Sequence, residues 1–123
     1  MSENSLLESP DDPDEEEPPL SELLDALADR RRRRVLRLVS DHQTPLALSD
    51  LADEVAAAEH DCLFTDISEH TVKRTYTSLY HSHVPKLAVV GLLEYDQDVD
   101  AVAPGHNVEM ARPYLDLAAE IED

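Results

Sequence analysis

Residues 68–82 read SEHTVKRTYTSLYHS, and they decide the fold. At about 100° per residue, Val72, Thr75, Tyr76 and Leu79 fall on one side of a helix. His70, Arg74, Thr77, Ser78 and His81 fall on the other, with Lys73 on the flank. Ser68 is the expected N-cap. One edge is thus predicted to be sequestered and the opposite edge to present a ridge of hydrogen-bonding groups around a full cation, Arg74.

Upstream, Ser49 is the expected cap of a helix from Asp50 to about Ala58, with Leu51, Val55 and Ala52 or Ala56 inward. A connector over 59–67 carries Leu63, Phe64 and Ile67, which are expected to pin it down. Before that, Leu20, Leu23, Leu24, Leu27 and Ala28 follow helical spacing, with Ser21 as expected cap. Asp29 is expected to break or re-cap the chain ahead of a second run with Val35, Leu36, Leu38 and Val39. Thr44-Pro45 ends that run, because the residue before proline avoids the α region.

Downstream, Pro85 opens a short helix to Val90 that Gly91 stops. Strands at 92–95 and 99–103, joined by Asp96-Gln97-Asp98, predict a small hairpin. Pro104-Gly105 breaks the chain before a last amphipathic helix over about 107–121. Its stripe is Val108, Ala111, Leu115, Ala118 and Ile121, and it is expected either to pack on its own domain or to pair with a second copy. Helices followed by a hairpin make the expected fold mostly α with a small β-hairpin: a winged helix-turn-helix plus a C-terminal amphipathic helix. The expected organisation is a disordered acidic tail over 1–19, a winged-helix domain over 20–104 and the terminal helix over 105–123.

The chain has 123 residues, with 28 acids against 10 bases, a net charge of −18. The imbalance is uneven. Residues 1–19 hold eight acids and no base, residues 30–86 hold nine bases and eight acids, and residues 87–123 hold Arg112 and nine acids. Arg outnumbers Lys eight to two. Excess carboxylate with scarce lysine points to a cytoplasm of molar salt, where screening shortens to about 3 Å and tolerates self-repulsion; the alternative is an ordinary acidic protein with an acidic tail. A single cysteine, Cys62, fits a reducing compartment. No run of apolar residues is long enough to span a membrane.

The block Arg30 to Arg34 plus Arg37 is the densest positive charge. Arg30, Arg33, Arg34 and Arg37 share an exposed face suited to phosphate contact; a salt-bridge network within an acidic protein is the structural alternative. Arg31 and Arg32 border the apolar face and are expected to pair with Asp25, Asp29 or Glu22. The hairpin turn argues against DNA contact, because Asp96, Asp98 and Asp100 bring three carboxylates and no base. Its D-x-D-x-D lacks the glycine and glutamate an EF-hand loop needs. His60-Asp61-Cys62 and His81-Ser82-His83 are short clusters from which a tetrahedral site could be assembled, but the chain has no C-x-x-C pair, so no metal and no cofactor is expected. A Gly-rich phosphate loop and a nucleophile elbow are both missing, so no enzyme activity and no small-molecule substrate are expected.

Leu24-Asp25-Ala26-Leu27-Ala28-Asp29 running into the arginine block and Val35-Leu36 resembles the start of arsenic-repressor-like winged-helix regulators. Leu79-Tyr80-His81-Ser82-His83-Val84-Pro85-Lys86-Leu87, followed by Val90-Gly91-Leu92-Leu93-Glu94-Tyr95-Asp96, resembles more specifically an uncharacterised haloarchaeal winged helix-turn-helix domain family. Leu51 to Ala56 and Lys73-Arg74-Thr75-Tyr76 fit the same pattern. The resemblance covers about residues 20–103 and implies DNA-binding transcription regulation, with no ligand or active site to carry over. The turn departs from the wider pattern in having no glycine. The expected function is therefore a cytoplasmic regulator that binds double-stranded DNA as a homodimer. His70, Arg74, Thr77, Ser78 and His81 would face bases, and Lys73, Arg30, Arg33, Arg34 and Arg37 would face phosphates. The alternative is a protein–protein adaptor of the same fold that does not bind DNA.

Overall fold

The computed structural model describes residues 17–42 and 44–122. Of the tail expected over 1–19, residues 1–16 lie outside the described residues, and 17–19 run as coil into the first helix. The fold is mostly helical, with a small three-stranded antiparallel sheet and a C-terminal helix.

Helix α1 spans Leu20–Leu27. The expected cap, Ser21, lies inside it; the Pro19 carbonyl accepts from the N–H groups of Glu22 and Leu23 instead, so the helix opens earlier. Its buried face is Leu23, Ala26 and Leu27, while Leu20 and Leu24 stay exposed. Helix α2 spans Arg30–Asp41, capped by Asp29, whose Oδ1 accepts from the N–H groups of Arg31 (2.8 Å) and Arg32 (3.1 Å). Val35, Leu36 and Val39 enter the core.

Strand β1, Leu46–Ala47, was not foreseen: two residues are too short to show a period of two. Helix α3, Leu48–His60, follows directly. Its first N–H is taken by the Asp100 carbonyl (2.9 Å), so the helix begins before Ser49, which is not its cap. It ends where Asp61 turns left-handed (φ 52°), a conformation that aspartate tolerates better than most residues. In the connector, Leu63 is exposed and does not pin the chain; the Phe64 side chain lies outside the described residues.

Helix α4, Glu69–Ser78, starts at Ser68 as expected, with Ser68 Oγ accepting from the Thr71 N–H at 3.1 Å. It does not stop before Pro85. A wide π-turn over Leu79–His83 carries it into α5, Val84–Val89. The Val84 N–H reaches back five residues to the Leu79 carbonyl. Proline has no N–H and its ring would collide with the carbonyl four residues earlier in a regular helix, so the widened turn lets the axis continue.

Strands β2 (Leu93–Asp96) and β3 (Ala101–Pro104) form the hairpin, and β3 is central, pairing Leu46 with Val102 on one side and Tyr95 with Val102 on the other. The turn is longer than expected: Val99 sits in it, exposed. The chain's two glycines meet where the hairpin enters and leaves. The Gly105 N–H donates to the Leu92 carbonyl (3.0 Å), and a Cβ on Gly105 would lie 2.2 Å from the Gly91 carbonyl oxygen. Gly91 itself has φ +81°. Helix α6, Val108–Glu122, packs Ala111 and Leu115 against α1 and α2 of the same chain, while Leu117 and Ile121 remain exposed.

Candidate nucleic-acid interface

The polar edge of α4 is open. His70, Lys73, Arg74, Thr77, Ser78, His81 and Ser82 line one shallow surface concavity with no carboxylate among them. Beneath it, Thr75 and Leu79 are buried, and Val72 and Tyr76 pack on the core. Thr75 satisfies its hydroxyl on the Thr71 carbonyl at 3.0 Å, which is how a polar residue occupies the sealed edge.

Lys73 and Arg74 are exposed, and their side chains make no hydrogen bond or ion pair to any described residue. Lys73 also borders a second groove between α3 and α4, where Asp53 and Glu69 join Ser49, Ile67, Val72 and Tyr76. Carboxylates therefore flank the lysine on one side and leave the arginine side clear.

Two contacts hold this edge relative to the hairpin. Asp100, at the end of the turn with φ 52°, accepts from the Tyr76 hydroxyl of α4 (2.5 Å) and from the Tyr95 hydroxyl of β2. Hydrogen bonding to that carboxylate pushes both phenols above their ordinary range. Tyr80 stacks parallel on Tyr76 at 6.2 Å and meets Tyr95 edge-on at 6.0 Å, and its ring also meets that of His81 edge-on at 4.9 Å. Asp100 therefore turns inward, and only Asp96 and Asp98 are exposed among the turn's carboxylates, with Asp96 Oδ1 accepting from the Asp98 N–H. Sequence reading missed this role; its one signal was the count of tyrosines around an acidic turn.

The arginine block is largely engaged within the chain. Arg31 pairs with Glu59, through Nε to Oε2 at 2.6 Å, and this bond holds the Glu59 carboxyl below its usual range. Arg32 donates to the carbonyls of Ala26 and Asp25 and approaches His83. Arg30, Arg33 and Arg37 gather on Glu122. Arg34 is half-buried; its side chain makes no hydrogen bond or ion pair to a described residue, and its charge helps to lower the Glu59 carboxyl. Of the five positions expected to face phosphates, Lys73 is on the α4 edge and Arg30, Arg33 and Arg37 are together at the end of α6.

Among the described residues no three His, Cys, Asp or Glu side chains gather as a metal site. His60 Nδ1 lies 2.9 Å from the Ala56 carbonyl, and His83 lies against Arg32. No described helix is long and apolar enough to cross a membrane.

A small helical domain with an antiparallel hairpin and one unpaired cationic helix edge is the class that fold and site define. Residues 24–103 match the family described as Domain of unknown function (DUF7344), and the chain belongs to it. No curated protein and no solved structure matches the chain.

Proposed function

We propose that the protein is a winged helix-turn-helix regulator that binds double-stranded DNA, with α4 as the recognition helix, α3 as its support and the β2–β3 hairpin as the wing. One observation carries this reading. In a chain of net −18, an exposed helix edge keeps the Lys73 and Arg74 side chains out of ion pairs with the described residues and lines its concavity with no carboxylate. Acids outnumber bases 28 to 10, so a solvated face with no task would be expected to acquire a carboxylate.

Arg74 would read a guanine edge bidentately, with His70, Thr77, Ser78 and His81 beside it and Lys73 on a phosphate. In molar salt, binding relies less on counterion release and more on hydrogen bonds and shape. Two copies would double these contacts, and the exposed Leu117 and Ile121 of α6 are among the apolar residues available for a two-fold pairing. The regulator would work in a high-salt cytoplasm without a cofactor.

Arg74→Ala should lower selective DNA binding at high KCl by about 10- to 100-fold, the worth of one bidentate base contact, with helical circular dichroism unchanged. Equal retention by the variant and the parent would remove the proposed reader. A second reading, a protein–protein adaptor, is favoured by the outward Asp96 and Asp98 and the exposed Val99 of the hairpin turn. It gains if Arg74→Ala is silent and turn substitutions are not.

A further inference from the structure

Three guanidinium groups of α2 converge on one carboxylate from the far end of the chain. Glu122 Oε2 lies 2.5 Å from Arg33 Nη2 and 3.7 Å from Arg30 Nε, and its Oε1 lies 3.7 Å from Arg37 Nη2. Two of the three arginines have anchors of their own. Arg33 Nη1 donates to the Leu27 carbonyl at 2.8 Å, and Arg37 Nη2 to the Leu115 carbonyl at 3.0 Å. Those bonds hold both guanidiniums in place whatever the anion.

The cradle is larger than its occupant. Among the described residues, three positive charges face one negative charge. Arg33 Nε is buried with no hydrogen-bond partner, a donor the two carboxylate oxygens leave unused. Arg30 and Arg33 also lie in the first turn of α2, where the backbone itself favours an anion and disfavours arginine. A tetrahedral oxyanion with two negative charges and more acceptor oxygens satisfies these groups better than a single carboxylate does.

The occupant is also loosely tethered. Leu115 is the last buried residue of α6, and beyond it Leu117 is 55% and Ile121 75% exposed. Little apolar burial holds the last turn down, so Glu122 stays mainly through the charges it meets.

We propose that Arg30, Arg33 and Arg37 form a binding site for a phosphate-type oxyanion, and that Glu122 occupies it as the chain's own stand-in until such a ligand displaces it. The oxyanion is either a free phosphate group or a phosphate of a nucleic-acid backbone. The site stands apart from the α4 edge and does not depend on it.

The test titrates the full chain with inorganic phosphate at constant ionic strength set by KCl, following the arginine side-chain Nε–H signals by NMR. Glu122→Gln removes the competing charge and should tighten phosphate binding about tenfold or more, the worth of one charge-assisted hydrogen bond. Adding Arg33→Ala to that variant should abolish the gain, and Arg74→Ala should leave phosphate binding unchanged. Equal affinity in Glu122→Gln and the parent, or signals that shift only elsewhere, would overturn the site. Should Glu122→Gln not fold, hydrogen exchange on the unsubstituted chain decides: phosphate should speed exchange of the amides of 119–122, and unchanged exchange refutes displacement. Repeating the titration with random-sequence duplex assigns the source. Tightening with duplex as well means a backbone phosphate, and tightening with inorganic phosphate alone means a free one.

Discussion

Arg32 Nη1 lies 3.3 Å from the Nδ1 of His83, and an arginine has nothing to accept with, so that ring nitrogen must be the acceptor. As a hydrogen bond, this contact assigns the neutral imidazole with its proton on Nε2. Burial pushes its pKa below the usual histidine value; Asp29 opposes the shift, and the Arg32 and Arg31 charges add to it. A histidine whose folded pKa is depressed binds fewer protons than the unfolded chain between the two values. Its contribution to stability is full above about pH 6.5 and is lost as pH falls from there through the folded pKa. The melting temperature should accordingly decline between pH 7 and pH 5.5, and His83→Gln should flatten that decline. Glu59 and Glu122, both held low by their arginine partners, contribute only further down, from about pH 4.5. A melting profile of the variant as steep as the parent's between pH 7 and pH 5.5 would place the sensitivity in another group.

Between elements, the junction of α4 with the hairpin rests on Asp100, which receives one tyrosine hydroxyl from each. Asp100→Ala removes both acceptors and puts alanine in a left-handed conformation, so it should lower the melting temperature by roughly 5 °C, the equivalent of about 1 kcal/mol in a domain of this size. Asp100→Asn, which tolerates that conformation and still accepts, should cost less. The two phenols give a direct readout. Their folded pKa is raised, so the stability they contribute is intact below about pH 10 and lost above it. Ultraviolet titration of the parent should show Tyr76 and Tyr95 ionising late, and Asp100→Ala should remove that delay. The α4 edge was legible because an amphipathic period and a serine cap are local signals, and Val72, Thr75, Tyr76 and Leu79 turned inward as their spacing required. Asp100 was not legible, since an acid in an acidic turn carries no mark of facing inward. Neither was the continuity through Pro85, because a π-turn cancels a proline's usual effect, nor β1, which exists only through its pairing with β3. The arginine partners were hidden by distance along the chain: Glu59 lies 28 residues from Arg31, and Glu122 lies 89 from Arg33.

For the molecule as a whole, two electrostatic terms oppose each other. Attraction comes from Arg30, Arg31, Arg33, Arg37, Lys86 and Arg112, each within reach of a carboxylate, as where Lys86 Nζ meets Asp25 at 2.5 Å. Salt weakens such pairs, most of them part-exposed, and each is worth little. Repulsion comes from the 18 charges left over, spread over a small surface, and salt weakens that too. Screening acts over about 3 Å at 1 M and about 10 Å at 0.1 M, so it reaches the many longer carboxylate–carboxylate distances before it reaches a pair in contact. The repulsive term should therefore respond more. Lowering KCl from about 2 M to about 0.1 M should lower the melting temperature, with loss of helical signal at the lowest salt. A melting temperature that stays level or rises on desalting would mean the contact pairs dominate, and would remove the reading of the composition as an adaptation to salt. KCl is the proper variable, because sulfate or sucrose would strengthen apolar burial in any protein and raise the midpoint without touching charge.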